Sequence, residues 1–501
     1  MKLKYKLSKS TFIRGLQCEK SLYLHKHFFR LKDPVPAAQK AIFDQGTKIG
    51  LLAQQLFPRG VDASPNDYYK MADAIETTKK LIDNSESVIY EATFCYNGIL
   101  AALDILVKDD DGWKAYEVKS STKVTETYLK DAAIQYYTII NSGIELKDIS
   151  IIHINNKYIR NDELDIQKLF SIESVYDLVQ EYLPIIPNEI DRLKHVIDSD
   201  KVPEIDIGSH CSKPYDCDFK GVCWKHIPDY SIFDISKLKT KKKFELYNKG
   251  IITFNQIDSD NISLNEKQLL QVKSEIEGIS HINKKEIRNF TSGLNYPLYF
   301  LDFETIVPAI PEFENTKPYQ QIVFQYSLHI KKQSDSKILH KEYLADPTQD
   351  PRTMLVKQLI HDCNTNGDIL VYNIGFERGK LYDLIEDFPQ FSFELKQIID
   401  RLKDLMIPFQ KRWYYTPQMK GKYSIKYVLP ALVPDLSYDT LDIRDGGTAS
   451  NTFLAMVNGT FKEDFIKNGS VIDYLNKYSN TEIKSNAKIS YLKYDWSLNS
   501  K

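Results

Sequence analysis

Between Ser87 and Ser121 the chain spells three strand-like segments in succession, SVIYEATF, GILAALDILV and WKAYEVKSS, and the turn DDDG at 109–112 joins the last two. Runs this short, β-rich and turn-bounded fold as adjacent strands. The turn also sets a register: a loop over 109–112 places Lys108 opposite Trp113, and counting back sets Asp104 opposite Glu117. Directly opposed side chains have Cβ atoms only ~4.5–5.5 Å apart, and like charges so placed are destabilising unless something neutralises them. A divalent cation does so. Alternation along the strand puts Glu117 and Lys119 on one face and turns Val118 to the other. Asp104, Glu117 and Lys119 thus converge, and hard oxygen ligands suit Mg²⁺ or Mn²⁺. Such an ion acidifies a bound water and stabilises charge on a phosphate, and Lys119 can orient the attacking water. The competing reading is a surface hairpin whose charges are merely solvated.

An apolar helix pattern, YLKDAAIQYY, follows the hairpin. The Asp, the E-x-K triplet and the downstream glutamine helix together resemble the RecB-type nucleases of the PD-(D/E)XK superfamily. That resemblance implies Asp104 and Glu117 as metal ligands, Lys119 as the catalytic lysine and Gln135 as the helix residue that contacts substrate or supports the site. Two positions depart from the pattern: Ile139 stands where a tyrosine is usual, and Gln45 stands where many members carry a histidine ligand. Glu91, on the preceding strand, is either a supporting acid or a structural residue.

Three of the six cysteines, Cys211, Cys217 and Cys223, fall within HCSKPYDCDFKGVCW, and Cys18 lies far upstream in RGLQCEKSLYL. In a reducing compartment such a cluster points to a metal site rather than to disulfides. Four thiolates satisfy a [4Fe–4S] cluster. They also satisfy a Cys₄ zinc site, although zinc ligands normally come in close C-x₂₋₄-C pairs, which are absent here. One upstream and three downstream cysteines flanking a nuclease core resemble the iron–sulfur nucleases of the AddB and CRISPR-adaptation type. The resemblance implies a cluster that clamps the first helix to the end of the domain. Cys95 and Cys363 read as ordinary core residues.

A second constellation begins with the apolar strand YFLDFETIV, which carries Asp302 and Glu304 on one face. Carboxylates there cost desolvation energy unless a cation or hydrogen-bond donors compensate. The D-x-E strand, Asn373 followed by Phe376-Glu377, and Tyr491 followed by Asp495 resemble the DnaQ-like DEDD exonucleases, in which four acids hold two metals. Glu377 replaces the usual aspartate and adds one methylene of reach. Asp404 is an alternative acid, or a helix-surface or capping residue. With PYQQIVFQYSLHI, DPR at 350–352 and GKYSIKYVLPAL, the chain resembles a bacterial family of uncharacterised proteins that fuse a RecB-like nuclease to a DnaQ-like domain.

At 501 residues the chain exceeds the roughly 250–300 residues at which single cores stop growing. The expected class is α/β, organised as a PD-(D/E)XK mixed sheet flanked by helices over 1–228, a helical connector over 229–290 and an RNase H-like exonuclease domain over 291–501. In the connector, KKKFELYNKGIITFNQI looks like half of a helix-hairpin-helix whose glycine turn offers N–H groups to a phosphate, or else is a solvated helix start. No apolar run approaches the ~20 residues of a membrane span, and the start lacks a signal-peptide pattern. A cytoplasmic protein is expected. The net charge of −2 neither supports nor excludes a nucleic-acid partner, because carboxylates at a site offset basic patches elsewhere. The favoured function is metal-dependent hydrolysis of DNA, DNA because the N-terminal resemblance is to repair and defence enzymes, with a second 3′–5′ exonuclease-like domain. The alternative is a non-catalytic nucleic-acid-binding or assembly protein with a degenerate exonuclease domain.

Overall fold

The computed structural model describes residues 5–65, 67, 70–258, 261–434 and 446–460. The protein is α/β, with two mixed sheets flanked by helices. Two compact units divide the chain: 1–226 together with 309–319, and 227–308 together with 320–501.

In the first unit the order is β1 (Leu7–Ser8), α1 (Lys9–Gln17), α2 (Glu19–His27), α3 (Ala37–Ala53), β2 (Val61–Asp62), α4 (Met71–Asp83), β3 (Val88–Tyr96), β4 (Ile99–Asp109), β5 (Gly112–Lys119), α5 (Glu126–Asn141), β6 (Leu146–Ile154) and β7 (Phe170–Ser174), before further short helices. The strands line up β2-β3-β4-β5-β6-β7, and β1 pairs with β4. Asn97 and Gly98, at φ 46° and 68°, make the two-residue turn between β3 and β4. Positive φ at both positions matches the right-handed twist of the strands, so this hairpin closes tightly. Leu103 and Leu106 pack under Phe12 of α1 and Ala132, Ala133 and Ile134 of α5. Ile105, Ile152 and Ile154 meet Ile49 and Ala53 of α3. Burial on both faces holds the middle strands rigid, which a site built on them requires. The short strands β1, β2 and β7 lack the alternation that sequence reading depends on.

Residues 309–319 fold into this first unit, although they follow a strand of the second. Arg160 anchors them: its N–H donates to the Thr316 carbonyl at 3.1 Å, its carbonyl accepts from Asn315 N at 2.7 Å, and its guanidinium reaches the Pro311 carbonyl at 2.9 Å.

The second unit holds β8 (His281–Ile282), β9 (Leu298–Ile306), β10 (Ile322–Lys331), β11 (Ile338–Leu344), β12 (Ile369–Val371), β13 (Leu402–Asp404) and β14 (Tyr414–Tyr415). Its main sheet runs β11-β10-β9-β12-β13. The first three strands are antiparallel, and β12 and β13 are parallel to β9 and to each other. Apolar residues of β9, such as Leu301 and Phe303, pack with Leu355 and Leu359 of the helix Arg352–Asp362 and Leu381 of the helix Ile374–Asp387.

The segment after 227 folds within this second unit. Gln271, fully buried, donates to the Tyr230 hydroxyl at 2.9 Å and accepts from Ser236 N at 2.9 Å. The hydroxyls of Tyr230 and Tyr415 both donate to Glu275 Oε1, at 2.9 and 2.6 Å, tying the segment to β14. The helix Thr240–Tyr247 is followed by a 3₁₀ turn, Phe254–Gln256, and the N–H groups of the residues between them are hydrogen-bonded within the segment. Gly250 N donates to the Tyr247 carbonyl and Ile251 N to the Leu246 carbonyl, closing the helix end, and Ile252 N and Thr253 N donate to Gln256 Oε1. No described helix is long and apolar enough to cross a membrane.

Candidate metal centres

The hairpin register of β4 and β5 runs Asp109↔Gly112, Lys108↔Trp113 and onward to Ile105↔Tyr116. The next step sets Asp104 against Glu117, and there Asp104 Oδ2 accepts the Val118 N–H at 2.6 Å. On the other side, the pairs Tyr90↔Ile105 and Ala92↔Leu103 bracket Glu91 against Asp104. Three carboxylates, Glu91, Asp104 and Glu117, therefore stand in one row across β3, β4 and β5. Glu91 holds φ 54° inside a strand. A non-glycine residue in that region is strained, and such strain persists where the surroundings over-determine it.

The row is neutralised unevenly. Glu117 is 2% exposed. Burial pushes its carboxyl up, but the ammonium groups of Lys119 and Lys9 outweigh burial and hold it well below the usual range. Lys119 Nζ lies 2.8 Å from Glu117 Oε1 and 2.6 Å from Asp131 Oδ2, with the Tyr128 ring centroid 5.2 Å away. Lys9 Nζ touches both Glu117 oxygens, at 2.8 and 3.0 Å. Asp104 fares worse: burial and the Glu117 charge push it up to about 7. Burial, with Glu117 and Asp62 nearby, raises Glu91 as well.

Gln135 projects from α5 in full burial, and neither amide atom has a hydrogen-bond partner among the described residues. A buried orphan amide is costly, of order 1–3 kcal/mol, and its presence calls for a reason. Gln45 Nε2 sits 3.5 Å from the Tyr319 hydroxyl, which donates to the carbonyl of Ser120, next to Lys119. Sequence reading missed Lys9, Asp131 and Tyr319. Asp131 carried a signal, since it precedes Gln135 by one helical turn and shares its face; Tyr319 carried none.

Cys18, Cys211, Cys217 and Cys223 line one recess together with Ser21 and His210. All four are free thiols. Cys18 interrupts the chain between α1 and α2 with extended dihedrals, which turns its side chain out of both helices. Burial, then the neighbouring sulfurs of Cys217 and Cys211, raises the Cys18 thiol against its backbone hydrogen bonds. Cys217 Sγ lies 3.5 Å from Ser21 Oγ. The flanking segments are bound independently of the sulfurs. Arg14 pairs with both oxygens of Asp218, at 2.5 and 2.9 Å, and Gln17 donates to the carbonyls of His210 and Tyr215, each at 2.7 Å. Among the described residues, no three His, Cys, Asp or Glu side chains are grouped as the ligands of one metal ion.

In the second unit Asp302 pairs with Ser327 and Glu304 with Gln325, so both acids share a sheet face, and both are buried. Glu377 lies in the first turn of the helix Ile374–Asp387, directly after β12, at 2% exposure. Asp404 ends β13, where it pairs with Val371. Its Oδ1 accepts from Asn373 N at 3.1 Å and Met406 N at 2.8 Å, so it fastens the start of the Glu377 helix to the strand end. Of the ordinary readings, helix-surface or capping residue, the contacts are of the capping kind, since Asp404 ends a strand and takes the N–H groups at two helix starts. Asp302 on β9, Glu377 in the first turn of the helix after β12 and Asp404 at the end of β13 thus come from three neighbouring parallel strands or the helix that follows one of them. Asp495 and Tyr491 lie outside the described residues.

Residues 299–424 match the family model described as a domain of unknown function, DUF2779. This stretch is a DUF2779 domain. It takes in Asp302, Glu304, Glu377 and Asp404 and ends well before position 495. The chain is also similar to the uncharacterized protein UU173 of Ureaplasma parvum, 31% identical over 142 residues, covering 26% of this chain and 21% of that protein. The MG366 homolog of Mycoplasma pneumoniae is 25% identical over 247 residues, covering 45% of this chain and 35% of the relative. MG366 of Mycoplasma genitalium is 25% identical over 219 residues, covering 40% and 32%. The chain thus spans about a fifth to a third of the length of these relatives. They establish distant homology beyond the DUF2779 domain and name no activity.

Proposed function

We propose that the chain is a metal-dependent nuclease that hydrolyses DNA phosphodiester bonds, with Mg²⁺ or Mn²⁺ held by Asp104 and Glu117. One observation carries the reading: three carboxylates crowd one row of adjacent strands, and Asp104 is pushed up to about 7. Perturbation of that kind, produced by burial and a like charge, marks sites built to receive a cation. The residues fit such an ion, since Asp104 and Glu117 offer hard oxygen donors from rigid strands. When bound, the ion supplies Lewis acidity to a phosphate and an acidic water. Lys119, steadied by Asp131 and Glu117, places positive charge beside the row, where it can hold a proton-bearing ammonium toward a phosphate oxygen. Gln135 brings a buried amide whose two polar atoms have no hydrogen-bond partner among the described residues. The hairpin, the following helix and the parallel β6 support a PD-(D/E)XK architecture.

A [4Fe–4S] cluster is the proposed occupant of the cysteine recess. Support comes from four thiols lining one recess, the number of thiolates such a cluster takes. The cluster would fasten α1 and α2, and with them Lys9, to the residues around 211–223.

For the DUF2779 domain we propose an RNase H-like, DnaQ-related exonuclease fold. Support comes from the strand order, which in the domain's own sequence order is third, second, first, fourth, fifth. Asp302 and Glu304 on one face of β9, with Glu377 in the first turn of the helix after β12, are the acids this reading offers to a metal.

The test is cleavage of end-labelled single- and double-stranded DNA in Mn²⁺ by the intact chain, Glu117→Gln and Asp302→Asn. Glu117→Gln is expected to lose the main cleavage, and Asp302→Asn to keep it while losing 3′-end trimming. Wild-type cleavage by both Glu117→Gln and Lys119→Ala rules out the first site. No cleavage by any form favours a nucleic-acid-binding role instead.

A further inference from the structure

Lys9 opens α1, and its position is fixed from both sides. The Ser8 and Thr11 side chains cap the helix reciprocally, with Ser8 N donating to Thr11 Oγ1 at 2.7 Å. Just before it, β1 pairs with β4 at Leu7↔Ile99 and Ser8↔Leu100, on the strand that carries Asp104. From this mount the Lys9 ammonium spans both oxygens of Glu117, at 2.8 and 3.0 Å. Lys119 already takes Glu117 Oε1. The two lysines differ in one respect. Lys119 is also bonded to Asp131 and lies over the Tyr128 ring, whereas among the described residues Lys9 hydrogen-bonds to no acid except Glu117.

A divalent ion ligated by Glu117 needs the same oxygen lone pairs that Lys9 covers. Two cations on one carboxylate repel each other, and burial strengthens that repulsion. Glu91, Asp104, Asp131 and Lys119 are the other charged groups that Lys9 meets, so the acids around it attract a second cation and Lys119 opposes one.

We propose that Lys9 is a built-in counter-cation that must leave Glu117 before metal can bind, so that metal loading is an exchange between an ammonium and an ion. The proposal rests on the metal-site reading above and adds its regulation. Lys9 acts through Glu117 and is a positioning residue. Once displaced, it remains on α1 beside the site as a positive charge suited to a substrate phosphate.

The experiment is Mn²⁺ titration of the intact chain by calorimetry, comparing wild type, Lys9→Met, Lys9→Arg and Glu117→Gln, with melting temperatures as the folding control. Only the binding that Glu117→Gln removes is scored, which sets aside ions held by the DUF2779 domain. Lys9→Met is expected to bind Mn²⁺ about tenfold more tightly than wild type, roughly 1.4 kcal/mol. Lys9→Arg, which keeps the charge, should stay near wild type. A residue with a merely structural role does not tighten metal binding when removed. Equal or weaker binding in a folded Lys9→Met overturns the exchange and leaves the metal site standing. Absence of any Glu117-dependent Mn²⁺ binding in wild type and Lys9→Met alike overturns the metal site itself, and the exchange with it.

Discussion

Lys9 and Glu117, separated by 108 positions, meet through two contacts of 2.8 and 3.0 Å, and this pairing brings the first helix of the chain to the row of acids on the central strands. Because Lys119 shares the same carboxylate, the site is a network and not a set of separate pairs. Substitutions in it should be non-additive.

Lys119→Met is expected to abolish cleavage and to cost about 1–3 kcal/mol of stability, because Asp131 is left as a buried carboxylate without its partner. Asp131 is 8% exposed and accepts from Lys119 at 2.6 Å. Adding Asp131→Asn should restore most of the melting temperature and none of the cleavage. Recovery of cleavage in the double variant would remove Lys119 from the chemistry.

Gln135→Met replaces an orphaned buried amide by an apolar side chain of similar size. Thermal unfolding of the substrate-free protein should show it neutral or stabilised by roughly 1 kcal/mol, since no described hydrogen bond is lost. Cleavage should fall at least tenfold. A destabilised variant with intact cleavage would assign Gln135 to the core instead.

Stability of the metal-free protein should fall as pH rises from about 5 to about 8. The folded Asp104 carboxyl, at about 7, lies above the ordinary aspartate value of 3.8. A group raised on folding binds more protons in the native state, so its contribution is present below the unfolded pKa and is lost as pH rises through the folded value. Glu117 is shifted the opposite way, so its contribution changes only at acid pH and stays constant across this window. Asp104→Asn should therefore flatten the profile and raise stability at pH 8 by on the order of 1–3 kcal/mol. Its side-chain oxygen can still accept the Val118 N–H. Parallel pH profiles of the variant and wild type would contradict this account.

Serine substitution of Cys18, Cys211, Cys217 or Cys223 should remove iron and the brown colour of the purified protein, and Cys95→Ser should remove neither. The first four line one recess and Cys95 does not. Metal analysis finding stoichiometric zinc in a colourless wild type would replace the cluster with a zinc site.

The site was legible where chemistry followed from local spacing. The length of the turn at 109–112 fixed which residues of β4 and β5 face each other, and the ladder from Asp109↔Gly112 to Ile105↔Tyr116 follows that count. Strand alternation placed Asp302 and Glu304 on one face, as the pairs with Ser327 and Gln325 show. The helix expected at about 126–141 spans Glu126–Asn141. Legibility stopped where a partner came from afar. The turn at Gly250 read equally as a phosphate cradle or a solvated helix start, because sequence cannot say whether backbone N–H groups are bonded within the segment. Asp404 read as an alternative acid or a helix-surface or capping residue, because nothing in RLKDLMIPF marks the three-residue strand Leu402–Asp404 that it ends.

Sequence by itself determined the strands, their faces and the residue types that can hold cations, since period-two alternation and turn length act over a few neighbouring positions. Tertiary structure alone decided that Lys9 covers Glu117, that Glu91 joins the row, and that residues 309–319 fold with the first unit. Those outcomes depend on burial and on which charges become neighbours when β1 seats on β4, quantities that no local pattern encodes.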